Sequence, residues 1–319
     1  MEVNLDLHCD LTAYLLQPNS SPTGDVRCSV DKLFTGHVKM QVMAFYSATA
    51  KGSVDEVREQ LKRYRSLLNL PGVYEFYPEK AELQEGLGII AAVENASGLC
   101  EEDQPVEDAF KNLDWLISQA KIMYVGLTHH LENRFGGGNF TQTGLKDDGK
   151  RLIEYLDGRK IAVDLSHTSD QLAYGILNFI DQNNLDIPVL ASHSNLRAVF
   201  DHNRNLPDEL VTEIINRSGL IGLNFVKYFI NPENHNEIYR HIEHAIKLGA
   251  EDHLCFGADF FDDKSHPEQD RYPFFFPEFG DSTAYSTINS RISELFSDEL
   301  KEKISHRNAL SYFKRLHKI

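Results

Sequence analysis

Apolar, β-branched runs recur along the chain, and the residue that closes each run is as informative as the run itself. In order they are Val3–His8, Met40–Tyr46, Gly88–Val93, Met123–Thr128, Ile161–Ser166, Ile187–Ser192, Leu220–Leu223 and His253–Ala258. Helical spacing fills the gaps, over about Val54 to Leu68, Val106 to Gln119, Leu172 to Ile180 and Ile238 to Leu248. Another helix opens at Pro207-Asp208-Glu209, where proline and acids suit a first turn. A C-terminal helical region is expected from about Ser297 to Leu316. Eight strands alternating with helices predict parallel βα units and an α/β fold, a (β/α)8 TIM barrel, as one domain over residues 1–319. The rival is an open doubly wound sheet, but the Gly-rich turn it needs after strand one is absent.

Seven of the eight runs end on or beside a residue able to do chemistry: His8 and Asp10, Glu94, His129, His167, His193, Asn224 and Asp259. In a barrel these ends form one ring at the C-terminal face, where active sites of this fold sit. His8 and Asp10, two apart on a strand, face the same side. Imidazole and carboxylate donors suit zinc or a similar divalent ion. Three histidines and two carboxylates exceed what one catalytic zinc uses, and fit two ions joined by a bridging carboxylate. Glu94 is the ring residue best placed to bridge. Cys9, between His8 and Asp10, is expected to point outward and pack. Asp6 is expected to face inward below His8, orienting a ligand or serving as a hydrogen-bonded barrel carboxylate.

The net charge of −16 disfavours nucleic acid and anionic membrane as partners. No apolar run approaches membrane-spanning length, and the N-terminus shows no signal peptide. Four scattered cysteines without a C-x-x-C spacing read as free thiols of a reducing compartment, so the expected location is cytoplasmic. Gly136-Gly137-Gly138 reads either as a lid hinge or as a flexible connector. Tyr272, Phe274, Phe275 and Phe276 would wall a pocket or make a dimer contact, and a homodimer is expected.

Asp6-x-His8-x-Asp10, Val93-Glu94, Leu127-Thr128-His129, Asp164-Leu165-Ser166-His167, Ser192-His193-Ser194, Arg204-Asn205-x-Pro207-Asp208 and Gly257-Ala258-Asp259-Phe260 succeed one another in order. Together they resemble the membrane dipeptidase (renal dipeptidase) family of zinc peptidases, from the N-terminus to the helix containing Asn308. The resemblance implies two zinc ions per chain in a metal-dependent hydrolase barrel. It also implies hydrolysis of dipeptides, often with tolerance for a D-residue at the C-terminal position. It places His8 and Asp10 on one zinc, His167 and His193 on the other, and Glu94 between them. His129 would contact the substrate and polarise the scissile carbonyl, Arg204 would clamp the free carboxylate, and Asp259 would move protons.

Three departures stand out. Ala258-Asp259-Phe260-Phe261-Asp262 replaces the family's usual Ser-Asp-Phe-Asp-Gly, Cys9 lies between the first two ligands, and Asn95 comes after Glu94 where glycine is usual. None removes a ligand. The expected chemistry is hydrolysis by water activated between two ions. The nearest alternative is another metal-dependent amidohydrolase barrel acting on a cyclic amide, lactone or phosphoester. Those commonly open with H-x-H and bridge through a modified lysine, whereas this chain has H-x-D and a glutamate. A non-catalytic barrel binding protein would be expected to have lost a ligand, and all five are present.

Overall fold

The computed structural model describes residues 2–319. Its strands are β1 (Asn4–Cys9), β2 (Val38–Tyr46), β3 (Val73–Glu75), β4 (Leu87–Glu94), β5 (Ile122–Gly126), β6 (Ala162–Asp164), β7 (Val189–Leu190), β8 (Ile221–Leu223) and β9 (Leu254–Phe256). All pair in parallel, in the order β7-β6-β5-β4-β2-β1-β9-β8. A bridge between Ala191 and Ile221 joins the two ends, so the sheet closes into an eight-stranded barrel rather than lying open. Each of the eight predicted runs contributes one barrel strand. The ninth, β3, is not signalled by the pattern; it pairs with Leu87–Ile89, below the level at which β5 begins alongside β4.

The predicted helices form at Ser53–Leu67, Glu107–Gln119, Asp170–Gln182, Asp208–Asn216 and Glu237–Lys247. Local chemistry explains their starts. The Ser169 hydroxyl accepts from the Leu172 N–H and caps one of them, and Asp208 and Glu209 complement the N-terminal dipole of another. A helix at Tyr285–Leu295 lies outside the sequence expectation. The predicted C-terminal region forms a helix at Asp298–Glu302, a single wide turn and a second helix at Asn308–His317.

Two apolar layers result. One lies between strands and helices and includes Cys9, Met43, Phe45, Ile89 and Val93. The other fills the barrel with Leu5, Leu7, Met40, Val42, Ile90, Ala92 and Leu190, and Ala309, Tyr312 and Phe313 of the last helix close its floor. The floor is sealed, so chemistry is confined to the opposite end.

Regular alternation fails on β1. Asp6 pairs with Gln41 and Cys9 with Met43, so three residues advance on β1 for two on β2, a one-residue bulge. Cys9 faces the helix layer as expected, its thiol 3.6 Å from the Met43 sulfur. Asp6 does not face inward. Its carboxylate accepts from the Ala258 N–H (3.0 Å), the His8 N–H (2.8 Å), the Gln41 amide and the Tyr285 hydroxyl. It therefore ties β1 to the loop after β9 and to the helix layer. All four cysteines are buried and unpaired.

Candidate active site

His8, Asp10, Glu94, His129, His167, His193, Asn224 and Asp259 come together at the C-terminal mouth of the barrel. Glu94 stands at its centre. Its Oε2 lies 3.5 Å from His8 Nε2, while its Oε1 lies 3.0 Å from His167 Nε2 and 3.4 Å from His193 Nε2. His129 Nε2 is 3.9 Å from the same Oε1. Around His8 Nε2, Asp10 Oδ1 and Asp259 Oδ1 each stand at 3.7 Å.

Hydrogen bonds behind the ring set which nitrogen faces in. Tyr124 donates its hydroxyl to the Leu7 carbonyl (3.0 Å), so at 2.7 Å it accepts from His8 Nδ1–H and leaves the His8 Nε2 lone pair facing the site. Ser192 donates to Asp164 (2.5 Å), so it accepts from His193 Nδ1–H at 2.6 Å. Asp164 is held by the Ser166 and Ser192 N–H groups. His193 Nε2 then points at His167 Nε2, 3.0 Å away. Burial, reinforced by neighbouring histidines and the Arg204 guanidinium, holds His129, His167 and His193 well below the ordinary imidazole range. Burial, with Asp10 and Glu94 adding to it, pushes the Asp259 carboxyl up to about 7.

These features suit cations. His8 Nε2 and Asp10 Oδ1 are buried with no hydrogen-bond partner among the described residues, and such atoms are costly to leave unsatisfied. Glu94 Oε1, His167 Nε2 and His193 Nε2 converge within 3.4 Å, a set of atoms that suits a divalent ion. The groups His8/Asp10/Glu94 and Glu94/His167/His193 each hold their donor atoms within 4.8 Å, with Glu94 in both; His8/His193/Asp259 and His129/His130/His167 do the same.

The backbone supports the ring with positive φ at Asn95 (72°), His167 (65°) and Asp259 (62°). Asn95 explains its own departure from glycine. Asparagine tolerates this region better than other side chains. Its amide caps the next turn through Ser97 N–H and donates to the Ser47 carbonyl at 2.8 Å.

Arg204 is no surface arginine: it is 3% exposed, donating to Ser194 Oγ (2.8 Å) and the His193 carbonyl (2.7 Å). Its Nε–H is buried without a partner among the described residues. Sequence reasoning assigns no role to four residues here. Asn224, without a role on sequence grounds, donates to Asp259 Oδ2 at 2.9 Å while its own carbonyl accepts from Val226 N–H. Tyr124 reads only as a strand residue, and Ser192 enters the sequence only as the neighbour of His193 in the Ser192-His193-Ser194 block, with no role of its own. Tyr46, at the end of β2, packs its ring 4.8 Å from that of His129.

Two loops depart in part from expectation. Gly136, Gly137 and Gly138 are buried, and a methyl group on any of them would collide with Leu172, Thr143 or the His129 carbonyl. They let segments pack closely, which is not the behaviour of a flexible connector. Phe275 (2% exposed) and Phe274 sit in the core with Phe260, Phe261 and Arg27, and of the aromatic group Tyr272 is the one that is openly exposed.

A closed parallel barrel with a histidine and carboxylate ring at its mouth defines a metal-dependent hydrolase type. The model of the membrane dipeptidase family (peptidase family M19) matches residues 2–315, and the chain belongs to that family of metallopeptidases. An uncharacterised protein from the pqqA 5′ region of Klebsiella pneumoniae is 26% identical over 197 residues, 57% of this chain and 68% of that protein. An uncharacterised dipeptidase of Schizosaccharomyces pombe, C3A11.10c, is 29% identical over 148 residues, 44% of this chain and only 35% of that protein. In structure the chain is similar to a metallopeptidase from Rhodobacter sphaeroides bound to a phosphinate mimic of the dipeptide L-Ala-D-Ala. The TM-score is 0.80 at 19% identity, over 98% of this chain and 99% of that one. Among the described residues no helix is long and apolar enough to cross a membrane.

Proposed function

We propose that the protein is a two-zinc dipeptidase. His8 and Asp10 would hold one ion, His167 and His193 the other, and Glu94 would serve both. The observation that carries this reading is the division of the Glu94 carboxylate, one oxygen 3.5 Å from His8 and the other 3.0 and 3.4 Å from His167 and His193. When bound, the ions would supply a strongly acidified water and a Lewis acid for the carbonyl.

The chain's own residues do the rest. Arg204, with its free buried Nε–H, receives the substrate's carboxylate, for which a guanidinium fork is well shaped. It is bonded to the backbone of His193, so the carboxylate is held close to the reacting bond. His129 donates to the carbonyl oxygen as charge develops there. Asp259, oriented by Asn224, takes the proton from water and delivers it to the departing amine.

Purified protein should contain about two zinc ions per chain and cleave dipeptides but not tripeptides. Because the Rhodobacter sphaeroides protein binds an L-Ala-D-Ala mimic, the panel includes L,L and L,D pairs. Absence of bound transition metal together with no zinc-stimulated dipeptide cleavage would overturn the reading.

A further inference from the structure

Eight barrel strands present eight ends to the mouth, and the proposed chemistry employs seven of them. The eighth is β2, which ends on Tyr46. Met40 and Val42 of this strand belong to the barrel interior while Met43 and Phe45 belong to the outer layer, so alternation turns Tyr46 inward. It pairs in register with Glu94 on β4, which puts the two side chains side by side in the top layer. The small Ala44 lies beneath it in the same inward row, and the His129 ring packs against it at 4.8 Å.

The position is held firmly. The buried amide of Gln60, on the helix Ser53–Leu67, accepts from the Tyr46 N–H at 3.1 Å and donates to the Tyr46 carbonyl. Thr12 packs beside Gln60, its hydroxyl 3.1 Å from the Gln60 oxygen while donating to the Ala44 carbonyl at 2.6 Å. Yet the hydroxyl that this anchoring presents has no hydrogen-bond partner among the described residues, and the residue is only half-buried.

Its place in the ring says what it meets. Around the barrel, β2 lies four strands from β7 in either direction and so stands opposite it. Arg204 is bonded to His193 and Ser194, just past the end of β7. A dipeptide whose carboxylate rests on Arg204 and whose amide lies over Glu94 directs its amino-terminal residue toward the ends of β1 and β2. There His8, Asp10 and Glu94 are engaged with ions in the proposed reading, and Tyr46 keeps a free polar atom. We infer that Tyr46 is a substrate-binding residue whose hydroxyl oxygen accepts a hydrogen bond from the free α-amino group of the dipeptide. This inference rests on the dipeptidase reading and names which group of the substrate the unassigned side of the site selects.

The test compares zinc-loaded wild type with Tyr46→Phe, a change that keeps the ring against His129. Steady-state constants are measured for L-Ala-L-Ala, and inhibition for propionyl-L-alanine, the same molecule without its amino group. Tyr46→Phe should raise KM for L-Ala-L-Ala about tenfold, with kcat within about twofold, while the inhibition constant of propionyl-L-alanine and the zinc content stay unchanged. An unchanged KM overturns the inference. So does an equal weakening of both compounds, or a fall in kcat at constant KM, since those mark a role in pocket shape or His129 positioning. A zinc-loaded wild type that cleaves no dipeptide overturns the dipeptidase reading itself, an outcome seen before any variant is compared.

Discussion

Two residues that touch neither substrate nor the mouth decide how His8 and His193 present themselves. Tyr124 accepts from His8 Nδ1 because its own proton is spent on the Leu7 carbonyl, and Ser192 plays the same part for His193 through Asp164. Replacing Tyr124 with phenylalanine removes the acceptor and leaves a buried N–H unsatisfied. Zinc affinity should then fall by about 10- to 100-fold, read by competition with a chromogenic chelator. Unaltered affinity would mean that Tyr124 serves packing alone. At this scale the sequence is uneven. His8, Asp10, Glu94, His129, His167, His193 and Asp259 are legible because each closes an apolar run. Tyr124 is hidden because it lies within such a run, and Tyr46 because a tyrosine at a strand end reads equally as core. Asp6 is displaced by a bulge, which no local pattern announces.

At the level of elements, strand length and strand contact do the positioning. Strands β6 to β9 are only two or three residues long, so the ring on that side depends on the turns beyond them. Where β8 and β9 pass β7, Gly222 and Gly257 face the carbonyl oxygen of Ser192, and a Cβ on either would occupy the space of that oxygen. A shift there is passed directly to His193, the next residue. Gly222→Ala should therefore destabilise the protein by about 1–3 kcal/mol or more and lower the occupancy of the ion assigned to His167 and His193. Urea unfolding and metal analysis check both effects. A variant with wild-type stability and metal content would show that β7 can yield. The alternation of strand and helix is readable along the chain, since hydrophobic period is a local property. The ladder register that makes Gly222 indispensable is not, because it joins residues 30 or more positions apart.

For the whole molecule, the sealed floor and the ring of acceptors have a thermodynamic consequence. Without cations, Asp10, Glu94 and Asp259 gather around His8 Nε2 at 3.7, 3.5 and 3.7 Å, and buried polar atoms such as Asp10 Oδ1 are left without hydrogen-bond partners, a cost that opposes the folded state. An ion that binds only the folded chain stabilises it, by about 4 kcal/mol when present at about 1,000 times its Kd. Chelation should lower Tm by several degrees and added zinc should restore it, as measured by calorimetry. Identical melting with and without chelator would count against a resident metal pair.

The hydrophobic pattern by itself determined that eight parallel strands alternate with helices, and that seven of them end in groups able to do chemistry. Both are properties of neighbours along the chain. Only the tertiary structure decided how those ends share work. Closure through Ala191 and Ile221 turned a row of strand ends into a ring. The bulge on β1 sent Asp6 outward, and the register between β2 and β4 set Tyr46 beside Glu94. Hydrogen bonds to Tyr124 and Ser192 chose the nitrogens of His8 and His193 that face inward. Each of these depends on contacts between distant segments, where the energy of a burial or a hydrogen bond is settled by what the fold brings alongside.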